Sequence, residues 1–376
     1  MVAFHLSLIY PLGLLALFFL GGRSLFAGKG QSDDLDSGSL FALGELGISI
    51  IIPARNEEKS IGDCLDAIRS ADLARHFSSF EVLVVDDDSS DGTATIASAK
   101  GAKVISSTEL PPSWIGKNFA CHLGSEATSN PIMVFLDADV RIQSGVLRLI
   151  SDVVEAKVDL YSVQPFHFCF TLGESFALFF NLVALLSSGA ISFFKSKRPK
   201  AIFGPVLITT RESYSKSGGH AEVHDQIVED VALAQLYQEA GLAIGVTSSR
   251  KVAWFRMYPD GFSSMVAGFT KNFAKGARSV AGLSFLATFV VITMWLYPIP
   301  QLFFSSGRQG FFIAIGGYLF GAVTVWIASR EIGRYSSVLF FLYPIALFVF
   351  LWVLVRSGFK VIFGGEVSWK GRSLQR

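Results

Sequence analysis

Four stretches of this chain are too apolar for the surface of a water-soluble protein, and they lie at its two ends. Residues 4–22, FHLSLIYPLGLLALFFLGG, carry no formal charge. Near the other end come 283–304 (LSFLATFVVITMWLYPIPQLFF), 311–328 (FFIAIGGYLFGAVTVWIA) and 337–355 (SVLFFLYPIALFVFLWVLV). A helix needs about 20 apolar residues to cross the hydrocarbon core of a bilayer. Each run is therefore expected to span a membrane, kinked where Pro298, Pro300 and Pro344 remove backbone donors. A cleaved leader would instead open on positive charge, and none precedes Arg23. Arg23 and Lys29 follow the first run, which places the middle region on the cytoplasmic side. One span before that region and three after it would leave the C-terminus on the far side. Yet Arg356, Lys360, Lys370, Arg372 and Arg376 would keep it on the near one. A re-entrant segment among the last three would reconcile the two cues.

A fifth apolar run, 176–194 (FALFFNLVALLSSGAISFF), is expected to lie in the membrane interface, within a segment 171–195, without crossing. Asn181 and the Ser187-Ser188-Gly189 break weaken it as a span, and KSKRPK at 195–200 suits anionic headgroups. The chain then divides into an N-terminal helix at 1–27, a domain at 46–280, C-terminal helices at 281–363 and a basic tail at 364–376. With 32 basic against 31 acidic residues, no nucleic-acid footprint is advertised. Cys64, Cys121 and Cys169 are far apart and form no C-x-x-C pair, which points to a reducing compartment rather than a disulfide framework or a zinc site.

From residue 48 short β-rich runs alternate with helical ones: ISIIIPARNEE, SIGDCLDAIRSA, FEVLVVDDDSSDGT, ATIASAKG, AKVISS, GKNFACHLGSEAT, IMVFLDADV. This alternation predicts an α/β domain with right-handed crossovers and a mostly parallel sheet. In such sheets ligands bind beyond the carboxyl ends of the strands. Three strands end there in polar signatures: Pro53-Ala-Arg-Asn-Glu57, Asp86-Asp-Asp88 and Asp137-Ala-Asp139. A buried strand thus delivers the paired acids rigidly to a ligand site. Asp-x-Asp alone arises by chance in a chain of this length, so its weight comes from these neighbours.

SIIIPARNEEKSIGDCL, EVLVVDDDSSDGT, FLDADV and the later VEDVALAQLYQEAG occur in the order and spacing of family 2 glycosyltransferases of the GT-A fold. The chain resembles that family over residues 46 to 280. PPSWIGKNFACHLG, MYPDGF, GFTKNFAKGA and VSWKGR are similar to its membrane members associated with carotenoid and hopanoid pathways. The resemblance implies a GT-A (Rossmann-like, mostly parallel) catalytic domain with transmembrane helices at both ends, cytoplasmic and anchored in the cell membrane. It implies that Asp139 coordinates Mn²⁺ or Mg²⁺, with Asp137 supporting the metal and the ribose of a nucleotide-sugar donor and Ala138 between them. Hard oxygen ligands suit these ions at a diphosphate. By the same resemblance Asp86 or Asp87 pairs with uracil, and Pro53, Arg55 and Glu57 frame base and ribose. Asp88 stands where the family usually carries Gly or Asn, which bears on the local turn.

Lys117 matches a family lysine beside the donor, where its point charge would meet phosphate or sugar oxygens; a surface lysine at a helix start is the plainer alternative. Trp114 would stack on a sugar or pack. Asp230 matches the second acid of the family's Glu-Asp motif, the general base of inverting transfer, with Glu229 as its neighbour. Inverting transfer needs one carboxylate to take the acceptor's proton, and a helix start keeps a carboxylate ionised. His220 and His224 either line an acceptor path or serve the fold. In RMYPDGFSSMVAGFTKNFAKGAR, Lys271 either reaches the diphosphate or anchors an interfacial helix. The Gln-x-x-Arg-Trp of processive relatives is missing, which argues against polymer synthesis. The expected activity is transfer of a sugar from a UDP-linked donor to a lipid acceptor such as a carotenoid or terpenoid acid or alcohol. A polyprenyl-phosphate or glycolipid acceptor is the first alternative, and a non-catalytic nucleotide-sugar-binding membrane protein the alternative of another class. Nothing in the sequence indicates an oligomeric state.

Overall fold

The computed structural model describes residues 2–26, 42–107, 109–188, 202–226, 228–277, 283–362, 367–369 and 372–374; side chains are described from residue 8 to 21, from 42 to 270 and from 283 to 359 within these. Contacts divide the chain into two compact units. One, the sheet unit, comprises Gln31–Phe166, Lys197–Arg256 and Gly365–Arg376; the other, the helical unit, comprises Met1–Gly30, His167–Ser196 and Met257–Gly364.

The strands in chain order are β1 (Gly47–Ala54), β2 (Ser79–Asp86), β3 (Lys103–Ser106), β4 (Ile132–Leu136), β5 (Val140–Ile142), β6 (Leu160–Gln164), β7 (Phe166–Phe168), β8 (Val206–Thr210), β9 (Ile244–Ser248), β10 (Ala253–Phe255), β11 (Gly333–Arg334), β12 (Val367–Trp369) and β13 (Arg372–Leu374). Seven of them form the main sheet, in the order β3-β2-β1-β4-β8-β6-β9. β1, β2, β3 and β4 run parallel, and β8 turns the direction between β4 and β6. The all-apolar run of β4 and the nearly all-apolar run of β1 are buried along almost their whole length, as strands covered on both faces require. The helix Ile61–Ser70 buries Ile61, Cys64, Leu65 and Ile68, the i, i+3/4, i+7 stripe of an amphipathic helix. The helix Gly116–Glu126 lies closer still: a Cβ on Gly124 would meet the side chain of Ile51 at 2.3 Å. Small residues on that face let its backbone approach β1.

The path from β1 to β2 and β3 goes one way across the sheet, and the chain then returns to set β4 on the other side of β1. That reversal opens a crevice at the carboxyl ends of β1 and β4, the usual ligand position in open α/β sheets. Pairing of Ala54 with Asp86 and of Ile51 with Phe135 brings the ends of β1, β2 and β4 level there.

The helical unit contains Val2–Phe26, Leu178–Ser188, Phe262–Ala277, Leu283–Leu296, Pro298–Phe304, Gly307–Ser329 and Tyr343–Ile362. Two stretches, Leu283–Phe304 and Gly307–Ser329, are long and apolar enough to cross a membrane; Leu8–Gly21 and Tyr343–Phe359 are shorter among the described residues. The helix from Leu283 breaks at Tyr297, where Pro298 starts a new segment, and the last helix starts one residue before Pro344. Buried hydrogen bonds join these helices: Trp295 Nε1 donates to Thr324 Oγ1 at 3.1 Å, and the Tyr343 hydroxyl donates to the Trp295 carbonyl at 2.9 Å. The described part of the segment expected at the interface is helical over Leu178–Ser188. It is buried on nearly every face within this unit rather than on one side only. Asn181 bonds His167 Nδ1 at 2.9 Å and the Tyr335 hydroxyl at 3.2 Å, so its amide is satisfied by neighbours in the unit.

Candidate active site

The site grows from three strand ends and two helix starts of the sheet unit. At the end of β1, Arg55 hydrogen-bonds the carbonyl of Asp87 and lies 3.7 Å from its carboxylate and 3.6 Å from that of Asp88. Asn56 and Asp88 both adopt left-handed backbone, with φ of 53° and 55°. The left-handed turn at Asp88 explains the Gly or Asn of the resemblance, since those residues enter this region most easily and Asp next. Side chains then tie the two turns together. Asn56 N–H donates to Ser89 Oγ and Ser90 N–H to Asn56 Oδ1, each at 2.9 Å. Glu57 N–H donates to Thr93 Oγ1 at 2.8 Å, Glu58 N–H to Asp91 Oδ2 at 3.2 Å, and Gly92 N–H to Glu58 Oε2 at 3.1 Å.

The two acids that sequence could not separate differ in this frame. Asp87 is buried, held by Arg55 and packed so closely on Gly116 that a Cβ there would lie 2.1 Å from its Oδ2. It sits at the start of the 116–126 helix, where the dipole favours negative charge. Asp86 is also buried, and its Oδ1 has no hydrogen-bond partner among the described residues. An unpaired buried acceptor is costly, and a base N–H would satisfy it. Pro53 is half-buried at the end of β1, and Glu57 accepts from Ser60 Oγ at 2.7 Å.

After β4 the chain makes the turn that carries Asp137, Ala138 and Asp139. Asp137 N–H donates to the Pro205 carbonyl at 2.9 Å and Val140 N–H to the Asp137 carbonyl at 3.1 Å. Ala138 is buried beneath, while both acids are half-buried. Lys117 Nζ lies 2.8 Å from Asp137 Oδ1 and 3.0 Å from Glu229 Oε1. One ammonium therefore joins the turn after β4 to the start of the helix Glu229–Glu239. Asp230 is next to this bridge; its Oδ2 accepts from Gly204 N–H at 3.2 Å and its Oδ1 from Val231 N–H at 2.8 Å.

The three carboxyls around Lys117, two of them paired with it, titrate unequally. Burial, and then the charge of Glu229, pushes Asp230 up to about 7, opposed by Lys117 and the two backbone donors. Glu229 is also penalised by burial, but Lys117 overcomes this and holds it below the usual range. Burial pushes Asp137 up, as do Glu229 and Glu57, with Lys117 pulling against them. Lys117 is held well above its ordinary value, because Asp137 and Glu229 outweigh its own burial.

Asp139 offers the hard carboxylate that Mn²⁺ or Mg²⁺ prefers, and Asp137 stands two residues away with one oxygen on Lys117. Among the described residues no three His, Cys, Asp or Glu side chains gather into a metal cage. That donor set fits a cation that draws most of its ligands from a diphosphate and water. Cys64, beneath Asp137, is buried and pushed up to about 12, so it is an inert thiol.

The remaining expected residues fall apart. His220 is buried against Phe135 and bonded to the Tyr214 hydroxyl at 2.9 Å, and burial holds it down at about 4, a neutral core histidine. Trp114 stacks on His122 at 5.1 Å with His224 tilted at 5.4 Å, so the tryptophan packs locally. Lys271 belongs to the helix Phe262–Ala277 of the helical unit, and its side chain lies outside the described residues. Two residues escaped the sequence reading. Gly204 donates to Asp230, and Asn118, fully buried beside Lys117, bonds the carbonyls of Val223, His224 and Gln226. The polar Asn118 on the inner face of a helix was the available signal.

The sequence profile described as Glycosyl transferase family 2 matches residues 49–176. The 4,4'-diaponeurosporenoate glycosyltransferase of Staphylococcus haemolyticus (strain JCSC1435) is 31% identical over 337 residues, covering 86% of this chain and 88% of that protein. The chain belongs to glycosyltransferase family 2. The enzyme of the same name from Staphylococcus aureus (strain USA300) is likewise 31% identical to this glycosyltransferase, over 336 residues, covering 86% of this chain and 87% of that one. A solved mannosyltransferase, PcManGT from Pyrobaculum calidifontis in complex with GDP-Man and Mn²⁺, has a TM-score of 0.57 at 17% identity, covering 97% of this glycosyltransferase and 99% of that chain. The two share the GT-A fold.

Proposed function

We propose that this glycosyltransferase transfers a sugar, with inversion, from a UDP-linked donor to a carotenoid- or terpenoid-type lipid acid or alcohol. The observation that carries the reading is the Lys117 bridge. It sets the donor-side acid Asp137 and the base-side pair Glu229-Asp230 in one site of the sheet unit. Asp86 presents an unpaired acceptor to the base of the donor, with Pro53, Arg55 and Glu57 around it. Asp139, with Asp137 beside it, would hold Mn²⁺ or Mg²⁺, whose charge offsets that of the departing diphosphate. Asp230 accepts the acceptor's O–H proton as the oxygen bonds the anomeric carbon and the bond to the diphosphate breaks. A base near pH 7 is matched to that work. A carboxylic acid embedded in a bilayer has its own pKa raised by desolvation, so it too brings an O–H proton.

The lipid acceptor rests on the names of the relatives and on the apolar helices. Phe285, Phe289, Phe311, Phe348 and Trp352 are exposed on the helical unit, where a bilayer would cover them. A multi-pass cell-membrane protein with domains at 1–27, 46–280 and 281–363 and a cytoplasmic catalytic domain accommodates these features. Mass spectrometry of membrane lipids from cells with and without the protein tests the proposal. A new glycosylated terpenoid is the expected result. A glycosylated polyprenyl phosphate in its place would refute the acceptor, and GDP rather than UDP released by isolated membranes would refute the donor.

A further inference from the structure

The loop that leads into the base is wrapped around a single amide. The Asn118 side chain is fully buried, and its Nδ2 donates to the carbonyls of Val223 at 2.7 Å, Gln226 at 3.0 Å and His224 at 3.2 Å. The backbone reinforces this grip: Ile115 N–H donates to the His224 carbonyl at 2.8 Å, and Gln226 N–H closes a turn onto the Val223 carbonyl at 3.0 Å. Four residues after Gln226 comes Asp230. The preceding residue on the 116–126 helix is Lys117, which holds Glu229 at 3.0 Å. Two consecutive side chains of one helix thus fix both ends of the segment 223–229. Such a grip needs a short, neutral side chain with two N–H donors, and Asn is the residue that supplies it. Aspartate would turn a carboxylate toward three carbonyls. Leucine would take the amide donor away from all three carbonyls, leaving those of Val223 and His224 with their backbone donors alone, at the cost of unmade hydrogen bonds.

We infer that Asn118 is a positioning residue for proton transfer: it sets the height and angle at which Asp230 meets the acceptor. The inference rests on the reading of Asp230 as the base. It assigns Asn118 no contact with donor or acceptor. A displacement of about 1 Å at a reacting group costs on the order of 100-fold in rate. Asn118→Ala should therefore lower turnover roughly 10- to 100-fold, while the dissociation constant for UDP-glucose stays within about twofold of the wild type, since the donor would bind at Asp86, Asp137 and Asp139.

A double-mutant cycle tests it with the full-length chain in lipid–detergent micelles, UDP-[¹⁴C]glucose and 4,4'-diaponeurosporenoate as probes. Asn118→Ala, Asp230→Asn and the double variant are compared for turnover and for UDP-glucose affinity. Where Asn118 acts through Asp230, removing it costs nothing further once the base is gone, and the double variant matches Asp230→Asn alone. An equal loss from Asn118→Ala in both backgrounds, with Asp230→Asn impaired, overturns the inference and leaves the base in place. Wild-type turnover by Asp230→Asn removes the base and the inference with it. Weakened UDP-glucose binding in step with turnover also overturns it, because that is what general loosening of the fold would do. Should Asn118→Ala fail to fold, Ile115→Pro provides the second probe. It deletes the other N–H that grips His224 at a position whose φ of −93° and ψ of 137° lie near the range proline accepts, and the same cycle with Asp230→Asn must close on the same result.

Discussion

Replacing Lys117 by methionine would keep most of the aliphatic stem and remove the one charge that Asp137 and Glu229 share. At an effective dielectric of about 20, unit charges about 3 Å apart attract by roughly 5–6 kcal/mol gross. Most of that is returned as desolvation, and breaking a fully buried pair costs about 3–5 kcal/mol net. Here Lys117 is 23% exposed, Asp137 28% and Glu229 14%, so solvent screens part of the effect. A loss of about 2–3 kcal/mol at pH 8 is expected, which lowers the melting temperature of a unit this size by about 4–12 °C. The pH dependence identifies the cause. Without the ammonium, Asp137, Glu229 and Asp230 repel one another, and all three folded pKa values rise above those of the unfolded chain. Such carboxyls bind protons more tightly when folded, so the variant regains stability as pH falls from about 8 toward about 4. Urea melts of wild type and Lys117→Met at pH 5 and pH 8 should show the gap between them narrowing at the lower pH. A gap of the same size at both would show that lost packing, and not lost charge, is responsible.

Turnover should also follow Asp230, the proposed base. Asp230 must be ionised to take a proton, and its value of about 7 predicts a rate that climbs tenfold per pH unit below about 6 and levels above about 8. A pH–rate profile checks this, and Asp230→Asn should flatten it. Gly116→Ala would drive a methyl into the Asp87 carboxylate; displaced with Arg55, it should cost about 1–3 kcal/mol, read by thermal melts, and weaken UDP-sugar binding measured by calorimetry. Asp139→Asn should abolish the stimulation of turnover by Mn²⁺ and leave the melting temperature within about 2 °C of the wild type; an undiminished response to the metal would show that the ligand lies elsewhere.

The parts of the site that sequence made legible are those written in local order. An apolar strand followed by acids can be read directly, because burial and turn are settled within ten residues. Partners across the chain are not. Asp86 and Asp87 are adjacent and identical in type, and what separates them is Gly116 and Arg55, on other elements, against Asp87, and an Oδ1 on Asp86 without a hydrogen-bond partner among the described residues. The partners of Asn118 could not be read, because its three acceptors lie 105 to 108 positions away; only its polarity on an inner helix face marked it. His220 and His224 looked alike in sequence, yet one is sealed behind Phe135 and the other leans on Trp114. The apolar segment before KSKRPK was legible as greasy. How it is enclosed depends on the His167, Asn181 and Tyr335 contacts of the helical unit, which periodicity does not encode.

The side chains that lace the turn after β1 to the turn after β2 have a consequence for how this surface fluctuates. Surface loops ordinarily fray one at a time, each with its own small opening free energy. Here the amides of Asn56, Glu57 and Glu58 are held by the second turn, and those of Ser90 and Gly92 by the first. Neither turn can expose its amides to solvent while the other stays closed. Hydrogen exchange should find these five amides leaving as a single cooperative group, slower than their exposure suggests. The floor of the proposed nucleotide site is then ordered before any donor arrives, and binding there would cost little loop entropy.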